Sequence, residues 1–329
     1  MSFDVYGLGN ALVDIQFQVD TAFFAEMGIE KGVMTLIEED RQMALIGNLG
    51  GKELARSSGG SAANTMISVV NCGGSAYYAC QVAYDADGEF YLADLAAAQV
   101  KSSASNRSEG TTGKCLVMIT DDADRTMNTF LGITSSFGPD QIEGDVIARS
   151  KYIYIEGYLV ASDSGFEAAM AAQKMAREND VKVALTLSDP FIAQIFLARM
   201  QALVDAGVDL LFCNEDEAKM FTQSDTLEDA CSALDARVGG YAVTCGADGA
   251  RVKQGGALIH APGFPVTAVD TNGAGDAFAG AYLAAVTNGR GPEQAARLAT
   301  YVSSRVVSKY GPRFEEKLGA ADLARIVKM

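Results

Sequence analysis

The chain has 329 residues, is 49% hydrophobic, and carries a formal net charge of −16, so it has the apolar content for a large core and an acidity that repels nucleic acid and anionic membranes. The opening "MSFDVYGLGN" carries no export signal, no apolar run reaches bilayer length, and the six cysteines form no CxxC pair; zinc and disulfide frameworks are thereby excluded and a cytoplasmic protein is expected. His260 is the sole histidine, which removes Ser-His-Asp and HExxH chemistry and leaves a carboxylate as the general base.

In chain order, "FDVYGLG" reads as a buried strand ending near Asn10, and "LVDIQFQVD" and "GVMTLIEED" alternate as half-exposed strands do. "SSGGSAANT" is a glycine pair opening a helix, with Asn64 one turn in. "SAYYACQVA" is the next buried strand, "KSSASNRSEGTTG" a flexible crossing, and "TGKCLVMITDDADRTMNTFLG" another half-exposed pair. "KYIYIEG", "VKVALTL", "VDLLFCN" and "GYAVTC" continue the buried strands, separated by helices such as Ser164–Asn179 and Glu215–Phe221. "NEDE" (Asn214–Glu217) starts a helix with oxygen donors of the type metals take, "TCGADGA" (Thr244–Ala250) is a strand, a glycine turn and a strand, and Val266 and Val269 read as the end of one more strand.

The alternation predicts an α/β fold: a three-layer α/β/α arrangement around a mostly parallel sheet, with ligands at the strand C-termini and a small β lid. Residues 1–12, 53–104 and 132–329 are assigned to the large part, and 13–52 with 105–131 to the discontinuous lid. Two glycine patterns are decoys. "GLGNAL" lacks the third glycine of a dinucleotide fingerprint, and "GNLGGKE" has Ile46 and Glu53 where a P-loop needs glycine and Ser or Thr.

"AVDTNGAGDAFAGAYLAAV" (Ala268–Val286) places Asp276 in the first turn of a long helix behind Gly273 and Gly275. A helix start carries unpaired N–H groups and a partial positive charge. The residues alone leave two readings open: an anion cradle with a catalytic acid, or an acid that merely complements the dipole above a closely packed helix.

"GGSAANT", "NEDE" and "DTNGAGDAF" together resemble the ribokinase, or PfkB-type, carbohydrate kinase family, and within it "GNALVDI", "LTLSDPFIAQIF" and "TGKCLVMITDDADR" are most similar to the adenosine kinase branch. That resemblance implies ATP and Mg2+ as cofactors, leaves room for a monovalent cation (K+), and implies phosphorylation of a sugar hydroxymethyl group, the ribose 5′-hydroxyl in that branch. By position it implies Asp276 as catalytic base, the N–H groups of Gly273, Ala274 and Gly275 as anion hole, and Arg125 as a lid residue reaching the phosphates. It assigns Asn10, Asp14, Gly60, Ser61, Asn64 and Phe191 to the acceptor, Asn214, Thr244, Gly246, Gly249 and Thr300 to the nucleotide, and Glu217 with Asn214 to Mg2+ through water. The helix dipole is expected to lower the Asp276 pKa. Departures are Ala63 and Phe196, where animal adenosine kinases carry glutamine and tyrosine, and Thr300, where Asn or His is usual. They keep an inosine, guanosine or plain sugar acceptor open, as ribokinase- and fructokinase-like enzymes would use. A non-catalytic nucleotide-binding regulator is a third reading, and a monomer or homodimer is expected.

Overall fold

The computed structural model describes residues 2–51, 53–103, 106–121 and 125–328. Lys52 of the P-loop decoy, residues 104–105 of the expected crossing and residues 122–124 of the "TGKCLVMITDDADR" motif lie outside the described residues.

The apolar runs form a nine-stranded sheet in the order 259–261, 250–254, 240–244, 210–214, 182–186, 150–155, 3–8, 76–79, 101–102. All neighbours from 240–244 to 101–102 are parallel, and the two strands at the other edge are antiparallel. Strands covered on both faces read as continuous apolar runs because neither face meets water. Their side chains divide by alternation. Val5, Tyr154, Leu210 and Phe212 join a core with the helices Ser61–Asn71, Ala274–Thr287 and Pro292–Val307. Tyr6, Leu8, Ile155 and Leu211 join a second core, with Asp163–Glu178, Leu197–Asp205 and Leu227–Asp235. This is the expected three-layer α/β/α arrangement.

A separate five-stranded sheet has the order 34–36, 125–130, 113–119, 12–18, 53–59. Val13, Ile15 and Phe17 point to one face, into a cluster with Leu45 and Leu49 of the helix Glu39–Leu49. Leu12 and Asp14, on the alternate face, line the cleft below. Period-two patterning therefore sends apolar side chains to the helix and a carboxylate to the cavity.

Three expectations change. Glu53–Gly59, counted with the large part, is an edge strand of the small sheet, paired with Leu12–Gln18. The crossing contains two short strands, Lys101–Ser102 beside Tyr77–Tyr78 and Arg107–Ser108 beside Val82–Ala83. Val266 and Val269 lie in an irregular segment, where Val269 N–H donates to the Val307 carbonyl at the end of a helix rather than to a neighbouring strand. Among the described residues no helix is long and apolar enough to cross a membrane.

Candidate active site

A cavity of about 830 Å³ opens between the small sheet and the C-terminal ends of the parallel strands. Two helix starts meet on its floor. The helix Ala274–Thr287 begins at Gly273 in the left-handed region (φ 73°) with no side chain capping it. A Cβ on Gly273 would fall 2.0 Å from the Pro312 carbonyl oxygen, so only glycine fits. The helix Ser61–Asn71 begins at Gly60, also at positive φ (97°), where a Cβ would lie 2.3 Å from the Asn10 carbonyl. The two helices pack closely: a Cβ on Gly280 would fall 2.4 Å from the Thr65 carbonyl, and the Ser68 hydroxyl donates to the Ala277 carbonyl.

This packing brings the Ser61 hydroxyl to the Asp276 carboxylate, donating at 2.6 Å. Gly273, Ala274, Gly275 and Asp276 all line the cavity, and the space a Gly275 side chain would enter is open. The Ala274 N–H makes a long turn bond, 3.3 Å, to the Thr271 carbonyl. The expected lowering of the Asp276 pKa is reversed. Burial raises it to about 6, and hydrogen bonds from Ser61 and Asn64 offset only part of that rise. Desolvation of the carboxylate is the largest cause, and the result lies nearer the value a general base needs at neutral pH.

Asn10, Asp14, Gly60, Ser61, Asn64 and Phe191 share the cavity wall. Asp14 is raised to about 7 by burial, opposed by Arg313 and Arg125. Phe191 follows Asp189, whose carboxylate accepts from the Phe191 and Ile192 amides and caps the helix Pro190–Ile195. Met34 and Leu36 of the small sheet and Phe191, Ile195 and Phe196 give the cavity an apolar slot that is largely open to solvent. Ala63 is fully buried and does not contribute to that wall.

At the other end, Asn214, Glu217, Thr244 and Gly246 line the cavity. Asn214 and Glu217 form a reciprocal cap: the Glu217 amide donates to Asn214 Oδ1 at 2.8 Å, while Glu217 accepts from the Asn214 backbone and side-chain amides at 3.0 and 2.7 Å. The acidic tetrapeptide is thus a capping box first.

Two expected nucleotide contacts are absent from this wall. Thr300 is buried in its helix, its hydroxyl donating to the Arg297 carbonyl. Gly249 faces the connection at Ala261–Gly263, where a Cβ would meet the Ala261 carbonyl at 2.1 Å; its glycine serves the turn. Arg125 also departs from expectation. It pairs with Asp270 Oδ2 at 2.7 Å, in a contact buried on both sides, and Asp270 accepts from the Asn272 and Gly311 amides as well. The guanidinium therefore ties the small sheet to the loop that leads into the helix start.

Residues 33–317 match the pfkB family of carbohydrate kinases. The chain belongs to that family. Adenosine kinase 1 of Arabidopsis thaliana is 26% identical over 334 residues, spanning 94% of this chain and 96% of that protein. The guanosine-inosine kinase of Escherichia coli strain K12 is 30% identical over 255 residues, 70% of this chain and 56% of that protein. The crystal structure of adenosine kinase from Sinorhizobium meliloti aligns with a TM-score of 0.89 at 34% identity, covering 99% of each chain. The protein is an ATP-dependent kinase of the nucleoside and sugar class.

For this pfkB-family kinase the donors fit a hydrated Mg2+. Asn214 and Glu217 offer oxygen at the cavity, the donor type Mg2+ takes. Mg2+ keeps its waters and binds chiefly to phosphates in such sites.

Two residues of the kinase site were not singled out from sequence. Glu156 ends the strand Ser150–Ile155 and is almost fully buried. It accepts from the Asn10 side chain at 2.9 Å, the Asn10 backbone at 3.2 Å and the Ala62 backbone at 2.9 Å, and burial still raises it to about 7. Its signal was an acid directly after the buried run Tyr152–Ile155, at the strand end where ligands of parallel sheets gather. Arg313, in an irregular segment after the helix Pro292–Val307, donates to Asn64 Oδ1, and no local pattern marks it.

Proposed function

We propose that this kinase transfers the terminal phosphoryl group of ATP to the 5′-hydroxyl of a purine nucleoside, adenosine foremost, with Asp276 as the general base. The observation that carries the proposal is the Asp276 carboxylate on an uncapped, glycine-flanked helix start at the cavity floor. The acceptor oxygen bonds to the γ-phosphorus as the bond to the bridging oxygen breaks. ADP keeps that electron pair, and the hydroxyl proton passes to Asp276. The helix start at Gly273, Ala274 and Gly275 offers N–H dipoles to the developing charge, the Ala274 N–H giving up its long bond to the Thr271 carbonyl. Mg2+, held through water by Asn214 and Glu217, supplies neutralisation of phosphate charge when bound.

Asn10, Asp14 and Asn64 suit ribose hydroxyls: a carboxylate accepts and an amide donates or accepts. The slot of Met34, Leu36, Phe191, Ile195 and Phe196 suits a purine face but offers no polar side chain of its own. Apolar pockets distinguish similar ligands by only about 10–200-fold. A guanosine or inosine kinase is therefore the second reading, favoured by that same slot. ADP release measured across adenosine, inosine, guanosine, ribose and fructose tests the proposal. Adenosine is expected to give the highest kcat/KM; ribose or fructose exceeding every nucleoside would overturn the nucleoside assignment.

A further inference from the structure

Asn64 is buried against the cavity floor, and which end of its carboxamide faces the acceptor decides what it can recognise. Its partner on the inner side is Arg313. The guanidinium Nε donates to Asn64 Oδ1 at 3.2 Å, Nη1 to Asp94 Oδ2 at 2.9 Å and Nη2 to the Ser58 hydroxyl at 2.6 Å. Ser58 passes its own hydroxyl and backbone protons to the same Asp94 oxygen, at 2.7 and 2.8 Å. A guanidinium has five donors and no acceptor. A flipped Asn64 would set its NH2 group against another donor, with both left unsatisfied in a buried site.

We propose that Arg313 is a positioning residue for the acceptor, fixing Asn64 so that its NH2 end, and not its oxygen, is presented to the cavity. Asn64 then donates toward Asp276, whose ionised form it stabilises, and toward an acceptor hydroxyl oxygen. The same chain segment braces the other helix start. Gly311 N–H donates to Asp270 at 2.9 Å, and the Pro312 carbonyl occupies the space beside Gly273. Arg313 thus links acceptor recognition to a strap packed behind the anion-binding turn, outside every motif quoted above. The inference rests on the nucleoside kinase proposal.

A double-mutant cycle with Asn64 tests it, read by the KM for nucleoside, the KM for ATP and kcat. Arg313→Ala is expected to lower kcat/KM for adenosine about 10- to 100-fold, the effect of one misoriented buried polar group, mainly through the nucleoside KM and with the ATP KM within about twofold. In an Asn64→Ala background the same change is expected to cost less than about threefold, because there is no amide left to orient. Arg313→Lys, which keeps the charge beside Asp94 and one donor, is expected to recover at least part of the loss. Should circular dichroism show that Arg313→Ala does not fold, the cycle is run with Arg313→Met, which keeps the apolar stem and removes every donor. Losses that add in the double variant, or that fall equally on both substrates, overturn the inference alone. A wild-type protein that phosphorylates no nucleoside overturns the functional proposal as well.

Discussion

Replacing Ser61 by alanine removes the 2.6 Å hydrogen bond to Asp276; any loss of acceptor contact from the same side chain lowers kcat/KM equally at all pH values, so the position of the acid limb reports on Asp276. Asp276 sits at about 6 because burial raises it while Ser61 and Asn64 stabilise its ionised form. A hydrogen bond to a charged group contributes about 1.5–3 kcal/mol, and 1.36 kcal/mol corresponds to one pH unit. The variant's Asp276 is therefore expected to titrate about one to two pH units higher. The sign follows from the base being needed ionised: the acid limb of kcat/KM moves up, and the loss relative to wild type is about two- to tenfold greater at pH 7 than at pH 9. Asp14, Glu156 and Glu217, each raised to about 7, titrate in the same window, so the wild-type limb is expected to be steeper than one proton. The displacement on losing Ser61 is what isolates Asp276. The assay is kcat/KM for adenosine at saturating ATP and Mg2+ from pH 5 to 9. A limb that stays in place or moves down would show that Ser61 does not hold Asp276 in its ionised form.

Glu156→Gln keeps the shape but leaves one carbonyl oxygen where two carboxylate oxygens accept three N–H groups; a loss of about 1–3 kcal/mol in urea unfolding is expected, with a raised nucleoside KM through Asn10, and an unchanged midpoint and KM would argue against it. Asp270→Asn strips the buried partner from Arg125; breaking such a pair costs about 3–5 kcal/mol, so the denaturation midpoint is expected to fall clearly, and a change under about 0.5 kcal/mol would show that the contact does not hold the small sheet to the helix start.

The parallel sheet was legible because its strands are buried on both faces, so "YIYI" (Tyr152–Ile155) and "LLFC" (Leu210–Cys213) run without a charged residue. The helix start at Gly273 was legible for the opposite reason: its glycines and lone acid violate the surrounding apolar pattern. Glu53–Gly59 was missed as part of the small sheet because this edge strand is exposed over its first four residues and shows no alternation of apolar side chains. Val266 and Val269 looked like strand residues, but they are exposed and the local backbone bonds to a helix end. Thr300 and Gly249 lie near the right segments of chain, yet one bonds within its helix and the other serves a turn. The pKa of Asp276 was misjudged because the helix start is a local feature, whereas burial comes from two helices and a second sheet. Arg313 was invisible for the same reason: its contact with Asn64 spans 249 residues of chain.

If Asp276 takes the proton of the acceptor hydroxyl, turnover of Asp276→Asn with adenosine, measured beside its adenosine affinity by calorimetry, falls on the order of 10²–10⁴ in kcat with affinity changed less than about threefold. Turnover within about threefold of wild type would contradict it.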